Sequence, residues 1–369
     1  MFKKRYFTYF DWVITGSMLA LLALGLLFVF SSTYSPEHNV SIFFKKQLFW
    51  AISGIFIYLF FSFKNLETLR PIGFAAFFIT LILLSYTFLS GFMAMGAKRW
   101  VSIYFFKFQP SELTKFFLPI FVAYYFYEYK TLQITIAGKA AFKNFIAPLI
   151  ILFIAFILIL KQPDLGTALI ILLSGIILFW VIGLDKKFII FSILISIIFA
   201  PFLWTKLKPY QKQRILVLLG EGDAQKERYQ LEQSKIAIGS GGILGKGLLK
   251  GTQNKFAFLP EDHTDFIFAV ICEELGFLGA LLVLILFFSL FFKIIILALQ
   301  LSNISDQIIV VGLMLHILLS VIINISMVTG ILPIVGIPLP LFSYGGTNLW
   351  ITLASLGIIN NIAIKQASY

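Results

Sequence analysis

Apolar runs of near-bilayer length recur ten times along this chain, more than a water-soluble core could bury. They cover residues 12–30, 47–63, 71–92, 110–127, 145–160, 165–184, 188–203, 266–292, 308–330 and 346–364. A helix crosses the hydrocarbon with roughly 17 to 25 residues, so the fifth and seventh runs are marginal and the eighth is long. Apolar residues fill 60% of the 369 positions and charged ones only 12%, which removes the ordinary soluble classes. The expected fold is an all-α integral membrane protein of about ten transmembrane helices, with residues 1–369 forming one membrane domain. No small-residue cleavage pattern follows the first run, so it reads as a retained helix despite the basic MFKKRYF before it.

Ten crossings put both ends on one side. With the ends inside, short inner loops hold twelve Lys or Arg and short outer loops seven, which sets both termini in the cytoplasm. Ten further basic residues fall in the long polar stretch 205–265, an outer loop between helices 7 and 8. Within it, KLKPYQKQRILVLL and YQLEQSKIAI place apolar residues at helical spacing beside Lys and Arg. That is the pattern of helices lying in the membrane interface; a solvated loop is the alternative. Cys272 is the lone cysteine, and His38, His263 and His316 are scattered, so neither a disulfide nor a zinc site is expected.

Two segments depart from simple helix patterning. GSGGILGKGLLKG, from Gly239 to Gly251, has six glycines in thirteen residues but fits neither phosphate-loop template. Its glycines are expected to let backbone pass close to a ligand or another segment. The uncharged TGILPIVGIPLPLFSYGGTN, from Thr329 to Asn348, is mostly apolar, yet its prolines and glycines forbid one continuous helix. It is either a re-entrant cavity wall covered by protein or a proline-rich interfacial loop.

Carboxylates recur at outer helix starts: Glu112 in FQPSELTKF, Asp164 in KQPDLGTAL and Asp265 in HTDFIFAV. Pro110 and Pro163 read as first-turn prolines, with the acids beside the positive helix end. Capping explains any one of them; three on one face suggest a site. Glu112 and Lys115 are spaced i, i+3, and ionisable groups just inside the membrane boundary persist when they face a bundle interior or water. Glu273 and Glu274 lie eight and nine residues beyond Asp265. Either one long helix turns them to a cavity, or FIFAVIC forms a separate turn. No GxSxG elbow or HExxH is present, which leaves carboxylates beside cations at an outer face. That chemistry suits glycosyl transfer or transport of a lipid-phosphate substrate.

GAKRW, FQPSEL, QPDLGTA, QSKIAIGSGG, GKG, LPEDHTDFIFAV, EELG and GIPLPLFSYGG follow one another from Gly96 to Gly346. In that order they resemble the SEDS family (shape, elongation, division and sporulation) over nearly the whole chain. The resemblance implies a peptidoglycan glycosyltransferase that joins lipid II units on the outer face and releases undecaprenyl pyrophosphate. It also implies a class B penicillin-binding protein as partner, with other membrane proteins of the elongation complex and no nucleic acid. GIPLP points to the elongation branch; a division-type polymerase, a lipid II flippase and a scaffold are the alternatives. In the family the essential acid is the aspartate of HTDF, here Asp265, and its cavity is lined by the residues matching Glu112 and Lys115. Arg99, Lys115, Arg214 and Lys235 are candidates to hold pyrophosphate. Asp164, Glu273 and Ser343 complete the expected cavity, and a divalent cation, Mg or Mn, near Asp265 or Glu112 is a candidate cofactor. Asp262 departs from the family's usual wording at that position.

Overall fold

The computed structural model describes residues 10–34, 40–90, 92–94, 97–103, 106–129, 142–207, 209–221, 225–255 and 258–367. Helices occupy all ten apolar runs. They are α1 (Trp12–Thr33), α2 (Ile42–Ser62), α3 (Leu66–Ser90), α4 (Pro110–Tyr124), α5 (Ile146–Lys161), α6 (Leu165–Ile182), α7 (Lys186–Lys206), α11 (Ile267–Gln300), α12 (Ile304–Val328) and α13 (Gly346–Ala367). Between α7 and α11 come α8 (Pro209–Leu218), α9 (Gln225–Gly241) and the single turn α10 (Thr252–Lys255), so helices form in both amphipathic stretches. Among the described residues seven helices are long and apolar enough to cross a bilayer.

Several starts differ from the apolar runs. α2 begins at Ile42 and takes Lys45 and Lys46 into its first turns, because Ser41 caps it by accepting from Phe44 N. α3 begins at Leu66, with Pro71 in its second turn. Pro110 does open α4, but Pro163 precedes α6: Asp164 is the cap and accepts from Thr167 N. A three-stranded antiparallel meander, β1 (Phe92–Ala94), β2 (Ala97–Ile103) and β3 (Phe106–Phe108), fills the turn before α4. The sequence had suggested only a loop there. Residues 3–5, 130 and 139, whose charge helped set the orientation, lie outside the described residues.

α12 and α13 form the centre of the bundle, with α13 buried along almost its whole length. α2 lies along α13, α1 along α11, and α4 between α3 and α12. Polar side chains close the exposed helix ends. Asn361 of α13 donates to Phe61 O and Lys64 O at the end of α2. Asp306, in the first turn of α12, binds Arg70 at 2.6 Å with both side chains buried.

α11 is two helices joined by a break. Gly276, at φ 66° and ψ −159°, separates residues 267–275 from 277–300. A break exposes carbonyls on one side and amides on the other, and in a bilayer each needs a protein partner. The glycine-rich segment supplies them on both sides. Lys246 N and Gly247 N donate to the Glu273 and Glu274 carbonyls at 3.0 and 2.9 Å, and Phe277 N and Leu278 N donate to Gly242 O and Ile243 O at 2.9 and 3.2 Å. Only glycine permits this approach: a Cβ on Gly245 would overlap the Glu274 carbonyl, and one on Gly241 the Cys272 carbonyl. FIFAVIC therefore belongs to a short separate helix, and both glutamates are buried at its end beneath this strap.

Gly245→Ala, with φ +77° and no space for a side chain, is expected to destabilise the protein by about 2 kcal/mol or more. Gly239→Ala, in helix α9 with nothing within 4 Å of its Cβ, is expected to be neutral or to stabilise by up to about 1 kcal/mol. Thermal unfolding of the two variants in one detergent checks the contrast.

Candidate active site

The turn 261–266 leads into α11 and is pinned to the non-helical segment after α12. Tyr344 N donates to His263 O at 2.8 Å, and Ser343 Oγ donates to Thr264 O at 2.5 Å while accepting from Leu339 N at 2.7 Å. Asn324 Nδ2 donates both to Asp265 O at 2.9 Å and to Ile337 O at 2.7 Å. Three successive carbonyls are thus fixed. The Asp265 side chain lies against Gly336, where a built Cβ would stand 3.4 Å from Oδ2. Ile334, Val335, Ile337, Leu339, Leu341 and Phe342 are buried, so this proline-rich stretch is covered by protein rather than spread on the surface.

Asp265 keeps partial solvent contact and lies just before helix α11. Loss of hydration pushes its carboxyl up to about 6, aided by the charges of Glu261 and Asp164 and opposed by those of Arg99 and Arg214. Arg99, on β2, reaches Asp164 at 3.9 Å; Asp164 also accepts from Gln109 Nε2 at 2.7 Å. Asp164 therefore caps α6 and joins the charges around Asp265 at once. Arg214, on α8, lies beside a crevice lined by Val217, Leu218, Leu231, Pro333 and Ile334.

The other expected site residues sit elsewhere. Glu112 and Lys115 form a 2.7 Å ion pair on α4, both buried, and Asn348 of α13 donates to the second Glu112 oxygen at 3.1 Å. Lys235 is exposed on α9, with its side chain over Gly330 just past the end of α12. Ser343 spends its hydroxyl on the Thr264 carbonyl and the Leu339 amide, and thereby holds the turn that carries Asp265. Glu273 lies under the glycine strap, bonded to Lys246. Asn324, Gln109, Asn348 and Gly336 were not singled out from sequence. Asn324 was detectable as a lone amide in the apolar run 308–330, where an unpaired polar group is costly.

Among the described residues no three His, Cys, Asp or Glu side chains are grouped to hold a cation, and Glu112 is already engaged by Lys115 and Asn348. A divalent cation held by protein ligands alone does not fit this donor set.

A family model described as "Cell cycle protein", covering FtsW, RodA and SpoVE, matches residues 11–368. The chain belongs to the SEDS family. The family's peptidoglycan glycosyltransferase MrdB of Escherichia coli strain K12 is 40% identical over 288 residues, covering 78% of this chain and 76% of that protein. Stage V sporulation protein E of Bacillus subtilis is 35% identical, with 96% of each covered. Among solved structures, a chain of a peptidoglycan synthase complex that coordinates polymerization and crosslinking aligns with a TM-score of 0.80 at 27% identity, over 97% of this chain and 98% of that one. A mutant of the rod shape determining protein RodA of Thermus thermophilus aligns with a TM-score of 0.70 at 25% identity, over 96% and 97%. Membership of the SEDS family and the seven apolar spans among the described residues make this a multi-pass membrane protein.

Glu112→Gln leaves the Lys115 ammonium buried without its anion and is expected to cost about 3 to 5 kcal/mol. Adding Lys115→Met should recover much of that loss, because the stranded charge is gone. A double-mutant cycle of thermal or denaturant unfolding measures both terms.

Proposed function

We propose that this chain is a peptidoglycan glycosyltransferase of the elongation type, joining lipid II units into glycan on the outer face of the cytoplasmic membrane. Both of its termini lie in the cytoplasm, and its partner is a class B penicillin-binding protein. Support comes from relatives named peptidoglycan glycosyltransferase and from the likeness to a synthase complex. The observation that carries the reading is Asp265: a carboxylate fixed through its own turn, poised near pH 6 and acted on by two guanidinium groups.

Asp265 accepts the proton of the sugar 4-hydroxyl, whose oxygen forms a bond to the anomeric carbon of the lipid-linked strand. The bond from that carbon to the pyrophosphate oxygen breaks, and undecaprenyl pyrophosphate leaves with the electron pair. A base with a pKa close to the working pH is suited to this step. Arg99 and Arg214 offset the negative charge that develops on the departing phosphate. The backbone groups freed at the α11 break are paired to the glycine strap, so they are not offered to a transported ion as in the discontinuous helices of many transporters.

Reconstitution of the full chain with its transpeptidase, with polymer and lipid II translocation measured separately, tests the proposal. Asp265→Asn is expected to fold, bind its partner and make no glycan. Wild-type-like polymer from it, or translocation by the parent chain without polymer, would sink the assignment. The pH dependence has a definite sign. The basic form of Asp265 is populated above about 6, so kcat/KM should fall about tenfold per unit below that point. Arg214→Gln removes a charge that lowers the Asp265 pKa, so it should move this acid limb to higher pH.

A further inference from the structure

The ion pair beneath the glycine strap has no part in the proton transfer, yet it places buried charge at a helix break whose backbone is already satisfied. Lys246 Nζ reaches Glu273 Oε1 at 2.6 Å. The same oxygen accepts from Thr252 N at 2.8 Å, Thr252 Oγ1 at 3.0 Å and Gln253 N at 3.1 Å. Next along the chain, Glu274 accepts from Ser31 Oγ of α1 at 2.6 Å. A carboxylate buried as fully as Glu273 is costly unless it is paired, and the strap's own amides and carbonyls already close the break. Glu273 also accepts the first amides of α10, so the pair ties the strap, the α10 turn and the short helix to one carboxylate.

What this tie does follows from the helix it grips. Residues 267–275 span little more than two turns, too short to hold a fixed direction alone. Asn324, Ser343 and Tyr344 tie the chain at the Asp265 end. Glu273 lies about 9 Å along the axis from Ile267, at a rise of about 1.5 Å per residue, and is tied by the strap. A rod pinned at one end pivots; pinned at both, it sets the angle at which it presents what precedes it.

We propose that Lys246 and Glu273 are positioning residues for Asp265: their ion pair locks the strap onto the far end of the short helix and so fixes the aspartate against the reacting hydroxyl. This rests on the polymerase reading. A displacement of about 1 Å at a reacting group costs up to about 100-fold in rate.

The test uses the full chain reconstituted with its transpeptidase, comparing the parent with Lys246→Met, Lys246→Arg and Glu273→Gln. Lipid II polymerisation gives kcat and KM, and thermal unfolding reports the folded state. Lys246 is part-exposed, so Lys246→Met should fold even where Glu273→Gln does not. Lys246→Met is expected to lower kcat about 10- to 100-fold with KM unchanged, and Lys246→Arg, which keeps the pair, to restore most of it. Wild-type kcat in Lys246→Met, or a loss that only tracks the folded fraction, overturns the positioning role. A parent chain that folds but makes no polymer sinks the polymerase reading itself, a different and separable failure.

Discussion

Backbone that leaves helical geometry inside a bilayer has no water to turn to, and much of this structure is arranged around that fact. Helix α11 breaks at Gly276, and the strap between α9 and α10 returns to pair with both sides of the break. The segment after α12 also leaves helical geometry, and it is held by Asn324, Ser343 and the backbone of the 261–266 turn. The two irregular stretches hold opposite ends of the same short helix, the segment after α12 at Asp265 and the strap at Glu273. The site is built from the places where the bundle gives up regular structure.

The charges follow the same economy. Glu112 with Lys115, Arg70 with Asp306 and Glu273 with Lys246 are paired at 2.6 to 2.7 Å, as low-polarity surroundings demand. Asp265 is different. Its oxygens face Gly336, and its nearest influences are opposed charges on β2, α8 and the 261 turn. Among the described residues no cation lies within ion-pair distance of Asp265, which leaves its carboxylate open to a proton, whereas the other three acids are each held by a lysine or an arginine.

Hydropathy alone located the helices, since any run that must sit in lipid announces itself by composition, and the motifs drew attention to the turn that carries Asp265. What lay beyond the sequence were pairings between distant segments. A glycine after EEL is as compatible with an unbroken helix as with a break, and nothing local to Gly239–Gly251 names Gly276 as its partner. Ser343 was expected only as part of the cavity, and its bonds to Thr264 and Leu339 join segments far apart in the chain. The meander at 92–108 escaped notice because its strands are three to seven residues long. Pro163 was misplaced by two positions, since it stands before the capping Asp164 rather than at the first helical position.

The chain order of the strap and its break bears on biogenesis. Residues 241–247 leave the ribosome before residue 276, so the groups that complete the broken helix already exist when that helix is inserted. The ties on Asp265 come in the opposite order: Asn324 and Ser343 are made well after the aspartate they hold. A nascent chain can therefore pair the broken helix as it forms, while the Asp265 turn stays unset until α12 and the segment behind it arrive.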